Sequence, residues 1–156
     1  MKDHFVRVVI PEPHYTLFDS NRNDLPEVIV VNDALLSFLH TEVFPWHLEV
    51  NIQAEDLAEK GMPTLEESKL LFEIGNNIES AIEGKNALFL ARSTWDGIRQ
   101  LSFRVHDPEV ANDTLQSILA VKPQTRFWEF RMHLDPEWLE AGYIFKLFPL
   151  ANGADA

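Results

Sequence analysis

Residues 86 to 106 constrain the fold most. Asp96-Gly97 sits there between two runs rich in aromatic and aliphatic side chains. Both residues tolerate the positive φ that a tight two-residue turn requires, so the stretch reads as a β-hairpin with Trp95 opposite Ile98. That register sets Ser93 against Gln100, Ala91 against Ser102 and Phe89 against Arg104 on one face. Leu88, Leu90, Leu101, Phe103 and Val105 fall on the other, an apolar set that should face the core. A strand and a helix flank the hairpin on each side, so the chain reads β-α-β-β-α-β from about residue 45 to 134, the ferredoxin-like plan.

The pieces around the hairpin follow from local chemistry. Phe44 to Gln53 alternates Trp46, Leu48, Val50 and Ile52 with His47, Glu49, Asn51 and Gln53, a strand with one core face and one polar face. Thr64 and Glu67 have the spacing of a capping box ahead of a helix to about Glu83, with an apolar stripe of Leu70, Leu71, Ile74, Ile78, Ala81 and Ile82. Asp107-Pro108-Glu109 opens a second helix, with Asp as cap and Pro in the first turn. Thr125 to Leu134 alternates again. Asp135-Pro136-Glu137 repeats the helix-start device before Trp138, Ala141, Gly142 and Phe145.

Upstream, residues 4 to 10 favour a strand, Asp19 to Pro26 a polar loop and Glu27 to Val31 a second strand, with Asn32-Asp33 capping a short helix. The expected class is α+β: a ferredoxin-like βαββαβ sandwich with an N-terminal ββα extension and a C-terminal helix. It forms a single domain over 1–150, with the extension over 1–42, the core over 43–134, the closing helix over 135–148 and a tail over 151–156.

Composition removes whole classes of function. The formal net charge is −12, which repels a polyanion over most of the surface and disfavours nucleic acid as a partner. There is no cysteine, and so no disulfide, thiolate ligand or thiol nucleophile. No apolar run approaches the length that spans a bilayer, and the N-terminus has no signal-peptide pattern. A cytoplasmic protein without a membrane association is expected. A Gly-x-Ser-x-Gly elbow and a phosphate-binding glycine loop are both missing, and no cofactor is expected.

Candidate site residues come from setting the polar faces of the strands side by side. In the ferredoxin-like sheet the first and fourth strands are expected to be antiparallel neighbours, and the first and third to lie parallel in the middle. Placing His47 opposite His133 puts Glu49 opposite Arg131 and Asn51 opposite Glu129, with Gln100, Ser102 and Arg104 on the next strand. The simpler interpretation is a solvated face of cross-strand ion pairs. The functional one is an anion or peptide-carboxylate pocket on the helix-free face, with Arg104 and Arg131 as its forks. His47 with His133, joined by Glu49, is the best set for a metal, but none of the six histidines has a ligand spacing such as His-Glu-x-x-His, and they read instead as polar-face residues near strand ends, with no metal expected.

Three segments carry a family resemblance: Gly61-Met62-Pro63-Thr64 before the acidic helix, Thr94-Trp95-Asp96-Gly97-Ile98-Arg99-Gln100 at the hairpin, and Asp135-Pro136-Glu137-Trp138 at the closing helix. Over roughly residues 4 to 146 the chain resembles the bacterial "domain of unknown function 695" family. The resemblance implies an architecture and no catalytic residue. In style the family is similar to the acidic ribonuclease E inhibitor B proteins, a fold-level analogy that implies a regulatory binding role.

Three functional readings follow. The first is a non-catalytic protein-interaction or regulatory module with a protein partner. The second is a small-molecule or anion-binding protein, or an enzyme, using His47, Glu49, Arg104, Arg131 and His133 in a concave pocket on the open sheet face. The third is a homodimer whose sheet faces pack together over Phe89 and Trp95.

Overall fold

The computed structural model describes residues 8–148. In chain order the elements are β1 (Tyr15–Arg22), β2 (Leu25–Asn32), β3 (Trp46–Gln53), α1 (Leu65–Ile82), β4 (Ala87–Trp95), β5 (Ile98–Val105), α2 (Pro108–Leu119), β6 (Trp128–Leu134) and α3 (Leu139–Phe145). All six strands form one antiparallel sheet in the order β1-β2-β4-β5-β3-β6. Its β6-β3-β5-β4 part is the ferredoxin-like βαββαβ unit, and the β1–β2 hairpin extends it from the β4 edge.

The expected parallel pairing in the middle of the sheet is corrected. β3 and β5 are antiparallel, with His47 opposite Arg104 and Glu49 opposite Ser102. The crossover through α1 makes β3 and β4 parallel with one strand between them, and the hairpin sends β5 back between the two, antiparallel to both. The β3–β6 register matches the polar-face matching throughout: His47 faces His133, Glu49 faces Arg131 and Asn51 faces Glu129.

The hairpin follows the expected register from Trp95–Ile98 to Ala91–Ser102 and then departs from it. A β-bulge at Leu90 adds one residue to β4, so Phe89 pairs with Phe103 and Leu88 with Arg104. A bulge reverses the side-chain alternation beyond it. Ala87 and Phe89 therefore join the core under the helices, while Leu88, Leu90 and Ala91 go to the far face. Phe89 was expected on the polar face and Leu88 and Leu90 on the core face. Both expectations are reversed by one inserted residue.

The N-terminal part differs more. Residues 8–10 form no strand, and the rest of the strand expected over 4–10 lies outside the described residues, as does the tail over 151–156. The expected polar loop is instead the turn of the β1–β2 hairpin. Asn23 and Asp24 both have positive φ, at 55° and 65°, the conformation of a two-residue hairpin turn that Asn and Asp adopt most readily among non-glycine residues. The short helix after β2 is a 3-10 turn over Asp33–Ser37.

Apolar surface is buried on both sides of the sheet. On the helical face, Leu71, Ile78 and Ile82 of α1 and Ala111 and Leu115 of α2 pack on Leu48, Val50, Ile52, Leu101, Phe103 and Val105. Gly75 lets α1 lie close on β5, because a Cβ there would stand 3.4 Å from Leu101; Ala81, expected in the stripe, is exposed. On the far face, Trp138 and Ala141 of the closing segment pack with Phe44, Leu35, Val31 and Leu90. The sheet face expected to be open is thus covered over β2, β4 and β5 by the chain's own C-terminal segment. A dimer through Phe89 and Trp95 finds no shared face there, since Phe89 lies on the other side. Among the described residues no helix is long and apolar enough to cross a membrane.

Candidate functional site

The five residues singled out in the sequence lie together on the far face, but they divide by role. Arg104 is wholly buried. Its Nη1 donates to Asp135 Oδ2 at 2.9 Å, its Nη2 to the Asp135 carbonyl at 2.5 Å and its Nε to the Phe44 carbonyl at 3.4 Å. The guanidinium stacks over Trp138, 4.7 Å from the ring centroid. With its donors taken up inside the protein, Arg104 is a structural pin and not the fork of an anion pocket. Asp135 also accepts the amides of Leu139 and Glu140, both at 3.0 Å, and so caps α3. Burial pushes the Asp135 carboxyl up, but the Glu140 amide, Arg104 and the Leu139 amide outweigh it and hold it below the usual range.

Arg131 pairs with Glu49 at 3.0 Å from an exposed position on edge strand β6. The His47 imidazole first and the Arg131 guanidinium second hold the Glu49 carboxyl at about 2. His133 lies beside His47, with ring centroids 5.6 Å apart, and its Nε2 is 3.5 Å from Glu140.

His47, Glu49 and Glu140 offer one donor atom each within 4.8 Å of one another, the layout of a metal site. The chemistry of the set does not fit a metal. Arg104 Nη1 lies 3.2 Å from His47 Nδ1, and a guanidinium has only donors, so Nδ1 must accept. The neutral ring then carries its proton on Nε2, which points at Glu49 Oε2 at 3.5 Å. A metal-bound imidazole needs the reverse, a lone pair on the metal side and an N–H directed at an acceptor behind it. The cluster is a hydrogen-bonded ion network.

A concavity on this face lies elsewhere, a space of about 330 Å³ between α3 and strands β2, β4 and β5. Its charged groups are already matched: Glu27 accepts from Ser93 at 2.6 Å and from Arg22 at 3.1 Å.

A different arrangement occupies the helical face. α1 covers β5 and β4 but stops short of the β1–β2 hairpin, leaving a groove along its outer side. Two cavities of about 340 and 390 Å³ lie in this groove and meet at Phe72 and Arg92. One end is aromatic, with Tyr15, Phe72 and Phe89; the other is cationic, with Arg92, Arg99 and Lys69. Tyr15 and Phe89 are in edge contact at 6.0 Å between ring centroids.

The two arginines separate this groove from the rest of the surface. Arg99 is 94 % buried, its Nε held by Thr94 Oγ1 at 2.8 Å. The Arg92 guanidinium lies 5.5 Å from the centre of the Phe72 ring. Neither has a carboxylate partner within ion-pair distance among the described residues, in a chain with 25 acidic side chains. Burial, and then the neighbouring Arg92, bring the Arg99 guanidinium down to about 10. Burial also lowers Arg92, against the opposing pull of Glu79 and Tyr15.

Glu79, on the wall of the same groove, is pushed up to about 8, by burial first and by Glu83 second. A cavity whose lining holds strongly shifted groups is the usual mark of a binding site. Sequence reading passed over these residues, although Arg92, Thr94 and Arg99 share the alternation of Leu101 and Phe103. Cations on the core-facing side of a strand were the available signal.

Glu79 gives a test by pH. Its folded value lies above its unfolded one, so its contribution to stability is complete below the unfolded value and is lost as pH rises through about 8. Glu79→Gln removes that loss. Thermal melts from the acid to the alkaline range should show the variant and the wild type converging in acid, with the variant ahead in base by about 2–4 °C, as for ~1 kcal/mol after solvent screening in a chain of this size. Parallel curves would place Glu79 in water.

A family model described as "Family of unknown function (DUF695)" matches residues 14–143. The chain belongs to the DUF695 family. No curated protein and no solved structure matches it. The three segments that carry the DUF695 resemblance serve the scaffold, apart from Arg99 of the hairpin segment, which lines the groove. The Gly97 amide of the hairpin turn donates to the Gly61 carbonyl at 2.8 Å. Gly61 has φ +79°, and a Cβ on it would meet Asp96 Cα at 2.9 Å, so backbone contact at this point requires glycine. Asp135 and Trp138 lock Arg104. Thr64 caps α1 by accepting the Glu67 amide at 3.2 Å. Glu67 itself does not close the expected capping box; its buried carboxylate takes the Glu55 amide at 2.8 Å and Arg126 at 2.7 Å.

Proposed function

We propose that this DUF695 protein is a non-catalytic binding module that takes an anionic small molecule in the groove beside α1, with Arg92 and Arg99 as its cationic end. One observation carries the reading: two neighbouring guanidinium groups, one of them 94 % buried, with no carboxylate at ion-pair distance among the described residues. Desolvating a cation without an anion is costly, and two such groups side by side repel each other, so an oxyanion between them relieves both terms. Guanidinium donors match the geometry of a planar oxyanion.

This moves the anion-binding reading from the far face of the sheet to the helical face. A regulatory role in the cytoplasm, with a protein partner that responds to the loaded groove, is part of the same proposal. It draws on the acidic charge and on the scaffold role of the DUF695 segments.

Acetate, exchanged for chloride at constant ionic strength, tests it. At concentrations well above its dissociation constant acetate should raise the melting temperature of the wild type, since a ligand that binds only the folded state adds RT ln(1 + [L]/Kd). Arg92→Gln should remove most of that rise. An equal rise in the variant, or none in the wild type, would overturn the proposal.

A further inference from the structure

We infer that the ligand is an amphipathic monocarboxylate whose apolar, ring-sized body lies between Tyr15, Phe72 and Phe89 while its carboxylate rests on Arg92 and Arg99. The inference rests on the binding role proposed above and adds the chemical class of the ligand.

The two cavities differ in character and are joined. The aromatic one is lined by Val30 and by the Tyr15 and Phe89 rings from the sheet, and by Phe72 from α1. Their volumes, about 340 and 390 Å³, lie in the range of about 300–1,000 Å³ typical of small-molecule sites. Tyr15 and Phe72 are 52 % and 47 % exposed in the empty groove. Large aromatic faces left half in water beside a buried cation gain by covering with an apolar body that also brings an anion.

Charge sets the head group. The groove's cations are Arg92, Arg99 and Lys69, and Glu73 and Glu79 stand on the α1 wall with Glu83 one turn beyond. With the Glu79 carboxyl held neutral near neutral pH, a single negative charge is stabilised by the arginine pair. A dianion would add a second negative charge to an end whose lining already holds the Glu73 carboxylate. A hydroxyl or amide on the body could be met by Asn76 or by the neutral Glu79 carboxyl at the seam between the two ends.

Titration calorimetry of the whole protein with a small panel tests this: acetate as head alone, benzyl alcohol as body alone, 3-phenylpropionate as both, and phenyl phosphate as the same body on a phosphoryl head. The expected result is 3-phenylpropionate at least about ten-fold tighter than acetate, benzyl alcohol or phenyl phosphate, the factor that ~1.4 kcal/mol of added contact supplies. Phe72→Ala should bring the ratio of 3-phenylpropionate to acetate close to one, and Arg92→Gln should weaken 3-phenylpropionate at least ten-fold.

Acetate and 3-phenylpropionate binding equally, both dependent on Arg92, would remove the ligand class and leave the anion site standing. Phenyl phosphate binding more tightly than the carboxylate would replace the head group and overturn the monocarboxylate assignment. No heat from any anion would remove both the class and the binding role.

Discussion

Asp135→Ala should lower stability by about 3–5 kcal/mol, because it leaves the buried Arg104 guanidinium without its anion. Arg104 is 0 % exposed, and Asp135 meets it twice, through side chain and backbone carbonyl. The substitution also takes the cap from α3, since the amides of Leu139 and Glu140 both point at this carboxylate. A lost cap alone costs about 0.5–2 kcal/mol, and the two losses overlap at one side chain. Urea unfolding reads the effect as a fall in midpoint at unchanged slope.

Arg131→Ala is the matched comparison, from the exposed ion pair with Glu49, and should cost no more than about 1 kcal/mol. Adding Arg104→Met to Asp135→Ala should recover part of the loss, since an apolar side chain in the same space leaves no stranded charge. If Asp135→Ala and Arg131→Ala cost the same, Arg104 is not the buried pin described here.

Trp138→Ala is the second large effect, expected at about 3–5 kcal/mol. Trp138 is 6 % exposed and lies at the centre of the far-face core, beneath Arg104 and against Phe38. Its indole N–H is shared between the carbonyls of Thr41 and Phe44, each at 3.0 Å, which ties the closing segment to the chain that leads into β3. Truncation opens a cavity, strands those carbonyls and exposes the guanidinium above. Trp138→Phe keeps most of the packing and loses the hydrogen bonds, so it should cost only about 1–2 kcal/mol. Equal losses for the two variants would assign the effect to the hydrogen bonds rather than to the packing.

Much of the architecture was legible because alternation and turn chemistry agreed. Strands β3 to β6 and helices α1 and α2 all came from period-two or helical patterns bounded by Asp-Gly, Thr-x-x-Glu and Asp-Pro-Glu, and matching the polar faces found the β3–β6 register. The bulge at Leu90 was not legible, since one extra residue in an apolar run leaves no mark in composition yet exchanges the faces of Leu88, Phe89 and Leu90. The β1–β2 turn carried its signal in Asn23-Asp24, but the polar residues around it resembled a loop.

The candidate site was legible in position and not in role. Glu49, Arg131, His47 and His133 lie together as the pairing required. What the pattern could not show was that the closing segment folds over that face and supplies Asp135, which turns Arg104 from a surface fork into a buried structural cation. The groove beside α1 escaped for the opposite reason: it exists because α1 is one helix wide and the sheet continues past it.

Backbone amide chemical shifts, followed while 3-phenylpropionate is added to uniformly labelled protein, test most directly where this DUF695 protein binds. The account predicts saturable changes centred on Tyr15, Phe72, Asn76, Arg92 and Arg99, with Glu49, Arg131 and His133 unmoved. Changes centred on Glu49, Arg131 and His133, with the α1 groove silent, would contradict it.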